Sequence, residues 1–163
     1  MTSDLSKIKN IRSKKKFTIS LAESCTGGMI SKYLTSINGS SLFFNGACIS
    51  YSNQMKMKLL KVPKNTIINY GAVSHQTALA MVKGLEKITD SEILLSITGV
   101  AGPSGGSKRT PVGCVFFGTG SKDNKKYKFQ TLKKIFREKT RLAIQKKSTE
   151  HAVRLILKEL KKI

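Results

Sequence analysis

Residues 17–34, FTISLAESCTGGMISKYL, contain three patterns in direct succession. Residues 17–21 form an apolar, β-branched run, which predicts a short buried strand. Small and polar residues follow over positions 22–28. After them the apolar side chains recur at helical spacing, at Met29, Ile30, Tyr33 and Leu34. We therefore predict a strand, a tight turn and a helix, the unit from which layered α/β domains are built.

The predicted turn has the composition of a ligand-binding or catalytic loop. A helix N-terminus leaves backbone N–H groups unpaired and has a positive dipole end. The hydroxyl of Ser24 or the thiol of Cys25 would therefore face donors able to hold an oxyanion or a bound anion. Gly27 and Gly28 would let a ligand approach the backbone closely. The alternative is an ordinary turn in which Ser24 or Thr26 only caps the helix.

The alternation of strands and helices continues along the chain. Apolar runs over residues 93–98 and 111–119 predict buried strands, and the alternating pattern of residues 126–132 predicts an edge strand. A long helix is expected over residues 138–162, where an apolar stripe lies opposite a lysine-rich face. This order of elements predicts a three-layer α/β/α sandwich with a mostly parallel sheet.

The net charge of +21 is concentrated at the two ends of the chain. Residues 1–16 hold six basic residues and one acidic residue, and residues 122–163 hold fifteen and four, so these flanks carry +16 of the total. Most of the cations are lysine, whereas proteins that recognise phosphates or bases by geometry favour arginine. We expect a basic N-terminal arm over residues 1–16, a single domain over residues 17–163 and no specific nucleic-acid binding. A basic nucleic-acid-binding module stays an alternative.

Composition also indicates the compartment. The sequence has no run of about 18 apolar residues that could cross a membrane, and its basic N-terminus has no apolar stretch like that of a secretory signal. Cys25, Cys48 and Cys114 are odd in number and widely spaced, which fits neither a disulfide framework nor a zinc site. We expect a cytoplasmic protein without a metal.

Ser24 needs a base before it can act as a nucleophile, and histidine is the usual one. His75 begins a predicted helix, where a cation is disfavoured, and His151 lies midway along the last helix, so we expect both at the surface.

A lysine kept neutral by burial is the alternative base. Residues 42–51 predict a second strand, which mixes Phe, Ile and Cys with small residues. Lys56 is the best candidate, because it follows this strand as Ser24 follows the first, and parallel strand ends share one crevice. Tyr51 lies on the same rim, where it could orient the lysine or stack on a flat ring.

Two further features face the same crevice. Cys25 is a rival nucleophile, because a helix N-terminus acidifies a thiol, although it could equally be a small buried hydrophobic residue. The glycine-rich segment 98–106 follows a strand end, and its backbone N–H groups could form a nest for an anion. It has neither the ending of a nucleotide P-loop nor the spacing of a dinucleotide fingerprint. The alternative for this segment is a mobile surface loop.

Several short motifs occur in a fixed order over about residues 17–160. They are Ala22-Glu23-Ser24-Cys25-Thr26-Gly27-Gly28, Gly39-Ser40-Ser41, Tyr51-Ser52-Asn53 with Lys56, Pro63, Gly71-Ala72-Val73-Ser74, Thr98-Gly99-Val100-Ala101-Gly102-Pro103 with Gly105-Gly106, and Pro111-Val112-Gly113. Together they resemble the C-terminal domain of the CinA family, whose standalone members are nicotinamide-nucleotide amidases.

The resemblance implies a sheet of five or six strands, a homodimer, and hydrolysis of nicotinamide mononucleotide to nicotinic acid mononucleotide and ammonia without a metal or cofactor. It implies Ser24 as the nucleophile and Lys56 as its base, with Tyr51 beside them in the catalytic site. The substrate-binding residues that it implies are Cys25, Thr26, Gly27, Gly28, Ser40, Asn53, Thr98, Gly99, Ala101, Gly102, Gly105 and Arg137. Within this set, the segment 98–106 would hold the ribose phosphate.

The sequence departs from the family pattern at two places. Lys61 stands where the family usually has glycine, and Ile135-Phe136 replaces the usual glycine and aspartate before Arg137. Arg137 and Arg141 are therefore expected only as phosphate contacts. A domain that binds a nucleotide without turnover, in a regulatory role, is the alternative function.

Overall fold

The computed structural model describes residues 2–163, apart from the side chain of Thr2. A short 3-10 helix, Ser40–Leu42, precedes the second strand. The helices and strands are, in order, α1 (Thr2–Lys14), β1 (Ile19–Glu23), α2 (Met29–Leu34), β2 (Phe44–Ile49), α3 (Asn53–Leu60), α4 (Lys64–Tyr70), α5 (His75–Glu86), β3 (Ile93–Gly99), β4 (Cys114–Asp123), β5 (Lys126–Ile135) and α6 (Arg141–Leu160).

The strands described form one sheet in the order β2-β1-β3-β4-β5. β1 pairs in parallel with both β2 and β3, whereas β4 runs antiparallel to β3 and to β5. Every strand except β4 therefore points in the same direction. The prediction of a mostly parallel, mixed sheet with five or six strands is confirmed.

Helices cover both faces of this sheet because its central strands are apolar on both sides. Ile19 and Leu21 of β1 pack into a core with α1, α2 and α6, while Ala22 packs on the opposite face with α3 and α5. β3 alternates in the same way, with Leu95 in the first core and Leu94 in the second. The predicted three-layer α/β/α sandwich is confirmed.

The basic segment 1–16 includes α1, which packs on the domain. Leu5 and Ile8 are completely buried, and they belong to the same core cluster as Ile156 of α6. The lysines of α1 lie on its exposed side. The boundary at residue 16 stays a prediction, and Met1 lies outside the described residues.

Several element boundaries differ from the sequence prediction by two to four residues, and two of the later starts have a local cause. β4 begins at Cys114, because the preceding residues form a turn in which the Cys114 N–H donates to the Pro111 carbonyl at 2.9 Å. α6 begins at Arg141, because Thr140 caps it by accepting a hydrogen bond from the Ala143 N–H. Both starts are set by local hydrogen bonds that an apolar pattern does not reveal.

The three parallel strands end at one edge of the sheet. Glu23, the last residue of β1, is level with Ile49 of β2 and Ile97 of β3. Ser24 therefore emerges beside the segments that follow β2 and β3. The candidate site lies at this edge, as the topology of open α/β sheets leads one to expect.

Candidate active site

Ser24 and Lys56 meet directly at the edge where the parallel strands end. The Lys56 Nζ donates a hydrogen bond of 2.9 Å to the Ser24 Oγ. Both residues are buried, with Lys56 2% and Ser24 7% exposed. Lys56 reaches the serine from the first half of α3, which begins where Ser52 caps it by accepting from the Met55 N–H at 3.1 Å.

Backbone carbonyls satisfy the other two positions around the lysine nitrogen. Lys56 Nζ donates to the carbonyl oxygen of Ser50 at 2.9 Å and to that of Tyr51 at 3.1 Å. A neutral amine has two N–H bonds and one lone pair. With both N–H bonds directed to carbonyls, its lone pair would be directed to the Ser24 hydroxyl. This is the geometry that a general base for Ser24 requires.

Burial lowers the pKa of Lys56 from its ordinary value of 10.5, and a smaller opposing effect comes from Cys25. Burial acts in this direction because the ammonium form loses its hydration while the neutral amine loses little. A larger fraction of this lysine is therefore neutral near pH 7 than of a solvated lysine. The expectation that a buried lysine lies beside Ser24 is met by the geometry.

Cys25 is not activated as a thiolate. The residue is buried, and burial raises the pKa of its thiol to about 12. Its backbone carbonyl accepts a hydrogen bond of 2.8 Å from the side-chain amide of Gln145, which fixes the turn to α6. At neutral pH the thiol stays protonated, so Ser24 is the better placed nucleophile of the two.

The N-terminus of α2 is occupied by a carboxylate from the protein itself. Glu23 is completely buried at the end of β1, and its two carboxylate oxygens accept five hydrogen bonds from the turn and the helix. The donors are the Thr26 Oγ1 at 2.6 Å, the Gly28 N–H at 3.0 Å, the Ile30 N–H at 3.2 Å, the Ser31 N–H at 2.8 Å and the Ser31 Oγ at 2.6 Å. Contrary to expectation, the N–H groups of Gly28, Ile30 and Ser31 at this helix end are therefore not open to a ligand.

This arrangement narrows the choice of backbone donors near Ser24. The Gly27 N–H bonds back to the Ser24 carbonyl at 3.0 Å, and the Met29 N–H bonds to that of Thr26 at 3.1 Å. Within residues 2–163, the N–H groups of Ser24, Cys25 and Thr26 have no oxygen acceptor. They are the amides of the turn left to bind an oxyanion, and those of Cys25 and Thr26 lie beyond the candidate nucleophile's own residue.

A small cavity opens over the serine–lysine pair. Its volume is about 200 Å³. The lining residues are Ser24, Cys25, Tyr51, Asn53, Lys56, Ala72, Val73, Thr98, Gly99, Ala101 and Arg141. The cavity thus brings together nine residues to which the sequence analysis assigns a role and two, Ala72 and Val73, to which it assigns none, from segments as distant as residues 24 and 141.

Arg141 closes one side of the cavity by joining two loops. It donates to the Tyr51 hydroxyl at 2.7 Å and to the Gly102 carbonyl at 2.8 Å. The Tyr51 side chain is 58% exposed. Tyr51 contacts the lysine through its backbone carbonyl, and its phenol ring contacts Arg141 instead.

The other residues selected from the sequence lie outside the cavity lining, and their roles stay predictions. Thr26, Gly27 and Gly28 shape the turn, and Gly102 is a partner of Arg141. Ser40 lies in the 3-10 helix, Gly105 lines a neighbouring groove, and Arg137 is exposed. Among the residues that sequence reasoning did not assign, Glu23 had a usable signal, since an acidic side chain before a helix favours its N-terminus.

The two histidines do not line this cavity. His75 lies 2.9 Å from the Thr131 hydroxyl through its Nδ1 and packs edge-on against Phe116. His151 is half-buried between the rings of Phe117 and Phe136. Neither can act as the base for Ser24 in this conformation.

Among the helices of residues 2–163, none is long and apolar enough to span a bilayer. No group of three or more His, Cys, Asp or Glu residues in that part of the chain is arranged to hold a metal ion.

Sequence comparison identifies relatives over most of the chain. The chain is 46% identical over 128 residues to a CinA-like protein of Endomicrobium trichonymphae, and the aligned region covers 77% of this chain and 30% of that protein. It is 52% identical over 101 residues to a CinA-like protein of Petrotoga mobilis, where the aligned region covers 62% of this chain and 25% of that protein. The chain therefore spans about a quarter to a third of the length of these curated relatives.

Solved structures share the whole fold. A competence/damage inducible protein, CihA, from Agrobacterium tumefaciens superposes with a TM-score of 0.91 at 30% identity, covering 96% of this chain and 93% of that one. A competence-damaged protein (CinA) superfamily protein from Escherichia coli superposes with a TM-score of 0.81 at 27% identity, covering 96% and 86%. A family model described as the CinA C-terminal domain matches residues 3–160, and this chain therefore belongs to the CinA C-terminal domain family.

Proposed function

We propose that this domain is an amidohydrolase with Ser24 as nucleophile and Lys56 as general base, and that it converts nicotinamide mononucleotide to nicotinic acid mononucleotide and ammonia. The observation that carries the proposal is the 2.9 Å hydrogen bond between Lys56 Nζ and Ser24 Oγ in the lining of a cavity. A buried lysine with a lowered pKa is costly to maintain, and such groups are concentrated at catalytic sites.

The first step forms an acyl-enzyme. Ser24 Oγ attacks the carboxamide carbon, its proton passes to Lys56 Nζ, and the carbonyl electron pair moves onto oxygen. The Ser50 and Tyr51 carbonyls that receive the lysine N–H bonds then stabilise the ammonium that forms. The lysine donates its proton to the departing nitrogen as the carbon–nitrogen bond breaks, and ammonia leaves.

The second step releases the acid. A water molecule gives its proton to Lys56 and attacks the ester carbon. When the bond to Ser24 Oγ breaks, the proton returns to the serine. One water is consumed for each ammonia released, and the nicotinic acid product leaves as a carboxylate.

We assign stabilisation of the tetrahedral oxyanion to the N–H groups of Cys25 and Thr26. They adjoin the nucleophile, and within residues 2–163 no oxygen accepts from them. Two preorganised amide donors are the usual composition of an oxyanion hole, and the loss of one such donor costs about 10²–10³ in kcat.

The identity of the substrate rests on the family resemblance together with the size of the site. A volume of about 200 Å³ suits a flat ring with its carboxamide rather than a whole nucleotide. Asn53 and Thr98 in the lining supply polar groups for the carboxamide. We further propose that the domain works as a homodimer in a reducing cytoplasm, which is compatible with its three free cysteines.

The direct test is enzyme-coupled ammonia release from nicotinamide mononucleotide by the wild-type chain and by Ser24→Ala. We expect turnover in the wild type and a loss of roughly 10³-fold or more in the variant. A panel of other carboxamide nucleotides defines the substrate. Tight binding of nicotinamide mononucleotide without ammonia release would instead identify a nucleotide-binding domain without turnover.

A further inference from the structure

A second concave surface, here called the basic groove, adjoins the Ser24 cavity. Its volume is about 680 Å³. It lies between residues 68–76, which include the start of α5, and loop residues from 100 to 110, with Phe116 of β4 and Lys133 of β5 beside them. Ala72 and Val73 line both the cavity and the groove. The cavity and the groove are therefore adjacent, with these two residues between them.

The groove is positively charged. Arg109 and Lys133 line it, and among its described lining residues none is acidic. Neither cation takes part in any ion pair found within residues 2–163. His75, at the N-terminus of α5, lies on the same surface, where the helix dipole adds positive potential. The groove therefore presents two uncompensated positive charges to a ligand.

Both cations are carried by ordered structure. The Lys133 ammonium lies over the Phe116 ring, 5.6 Å from its centroid. Arg109 lies within a turn in which the Ser107 N–H donates to the Thr110 carbonyl at 3.0 Å and the Thr110 N–H donates to the Ser107 Oγ at 3.1 Å. A ring contact thus positions the Lys133 charge, and a hydrogen-bonded turn fixes the backbone that carries Arg109.

The Ser24 cavity by itself is too small for a nucleotide. Its volume of about 200 Å³ is below the range of roughly 300–1,000 Å³ that is usual for small-molecule sites. The α2 N-terminus cannot take the phosphate, because Glu23 already occupies it.

Arg137 lines neither concavity. Arg141 does line the cavity, but its guanidinium already donates to the Tyr51 hydroxyl and to the Gly102 carbonyl. The adjacent groove carries two cations outside the ion pairs described, so it is the better placed site for the anionic part of the substrate.

We propose that the basic groove binds the phosphate of a nucleotide whose carboxamide lies at Ser24, with Arg109 and Lys133 as its cationic contacts. This inference rests on the proposed function. It makes the groove the specificity site for phosphorylated substrates, because a nucleoside without the phosphate gains nothing from either cation.

The test compares nicotinamide mononucleotide with nicotinamide riboside, which lacks the phosphate. For Arg109→Ala and Lys133→Ala we expect KM for the nucleotide to rise about fivefold each, with kcat within about twofold of the wild type. Kinetics with the riboside should not change. Added salt should raise KM for the nucleotide in the wild type more than in the variants.

Lys108→Ala and Lys134→Ala are matched controls. Each removes a neighbouring charge from a residue that does not line the groove. Lys134 follows Lys133 on β5 and lies on the other face of the sheet, near His151, whose pKa is lowered first by burial and then by the charge of Lys134. Both controls should behave like the wild type. The proposal is overturned if the controls act like the groove variants, or if the groove variants affect both substrates equally.

Calorimetric titration of the Ser24→Ala variant with the same two compounds separates this proposal from the proposed function. If Arg109→Ala or Lys133→Ala weakens binding of the nucleotide but not of the riboside, the groove proposal is supported even when the wild type releases no ammonia. If the wild type releases ammonia but the two compounds bind equally well, the amidase proposal stands and the groove proposal is rejected. If neither compound binds, both proposals are rejected.

Discussion

Glu23 and Ser31 are joined by two hydrogen bonds, in which the Ser31 N–H and the Ser31 hydroxyl both donate to the Oε1 of Glu23, at 2.8 and 2.6 Å. The other oxygen of the same carboxylate accepts from Thr26, Gly28 and Ile30. One completely buried side chain therefore ties the turn that contains Ser24 to the first residues of α2. We expect the position of Ser24, the proposed nucleophile, to depend on this carboxylate, although Glu23 does not line the cavity.

Glu23→Gln tests that positioning role. Glutamine keeps one acceptor oxygen, while its NH₂ group would face donors, so we expect the free energy of unfolding to fall by about 2 kcal/mol. Displacement of Ser24 should lower kcat by about tenfold with little change in KM. Urea denaturation and ammonia-release kinetics measure the two effects. Ser31→Ala, which removes only one hydroxyl donor, should have a smaller effect on both, and an unchanged kcat in a folded Glu23→Gln variant would reject the role.

Lys56→Met tests the base. Methionine fills most of the buried volume without a titratable group, so the variant should fold, while kcat falls by about 10³-fold. Lys58→Met is the control, since Lys58 is exposed on the same helix. Circular dichroism verifies the fold and the ammonia assay measures the rate. A folded Lys56→Met variant with near-normal turnover would show that another group takes the proton.

The lowered pKa of Lys56 has consequences for pH dependence. With the neutral amine as the proposed base, kcat/KM should rise with pH until the lowered pKa is passed, and it should level off before the ordinary value of 10.5. At a pH between the lowered pKa and 10.5, Lys56 is protonated in the unfolded chain but neutral in the folded chain. The free energy of unfolding should therefore also rise with pH in that interval.

A pH series of kcat/KM and of urea denaturation measures both slopes. In Lys56→Met the contribution of this residue to the stability slope should vanish, whereas Lys58→Met should keep it. The lowered pKa would be contradicted if the free energy of unfolding of the wild type fell with pH across this interval while that of Lys56→Met did not.

Cys25 should be dispensable for the chemistry. Burial raises the pKa of its thiol to about 12, so at pH 7.5 it should react with iodoacetamide far more slowly than a free thiol. Cys25→Ala should keep ammonia release within about tenfold of the wild type. Mass spectrometry of the alkylated protein and the kinetic assay check these points. Loss of activity in Cys25→Ala, together with near-normal activity in Ser24→Ala, would show that the Cys25 thiol is the nucleophile and the Ser24 hydroxyl is not.

Gly84→Ala tests how the fold supports the site. A methyl group at Gly84 of α5 would collide with the backbone carbonyl of Leu60, at the end of the helix that carries Lys56. We expect a loss of about 2 kcal/mol or more in the free energy of unfolding, because backbone cannot move aside cheaply. Gln76→Ala, at an exposed position of the same helix, should cost far less. Equal stability of the two variants would contradict the close approach of α3 and α5.

The layered fold was predictable because its signals are local. The apolar runs that became β1 and β3 are buried on both faces, and the striped pattern of α6 matches a helix that covers a sheet. Boundaries were less predictable. The turn before β4 and the Thr140 cap of α6 depend on single hydrogen bonds, which leave no periodic signal in the sequence.

The sequence by itself determined which groups were available for chemistry: a serine in a small-residue turn after the first strand, a lysine after the second, and a glycine-rich loop after the third. Only the tertiary structure decided that Lys56 reaches Ser24 and that Glu23 binds the N-terminus of α2. It also decided that Arg141 and Gln145 of α6 hydrogen-bond to Gly102 and to Cys25 at the site. The reason is physical. Residue type and spacing are properties of neighbouring positions, whereas a hydrogen bond between positions 24 and 56, or 25 and 145, exists only once parallel strands have brought their ends to one edge of the sheet.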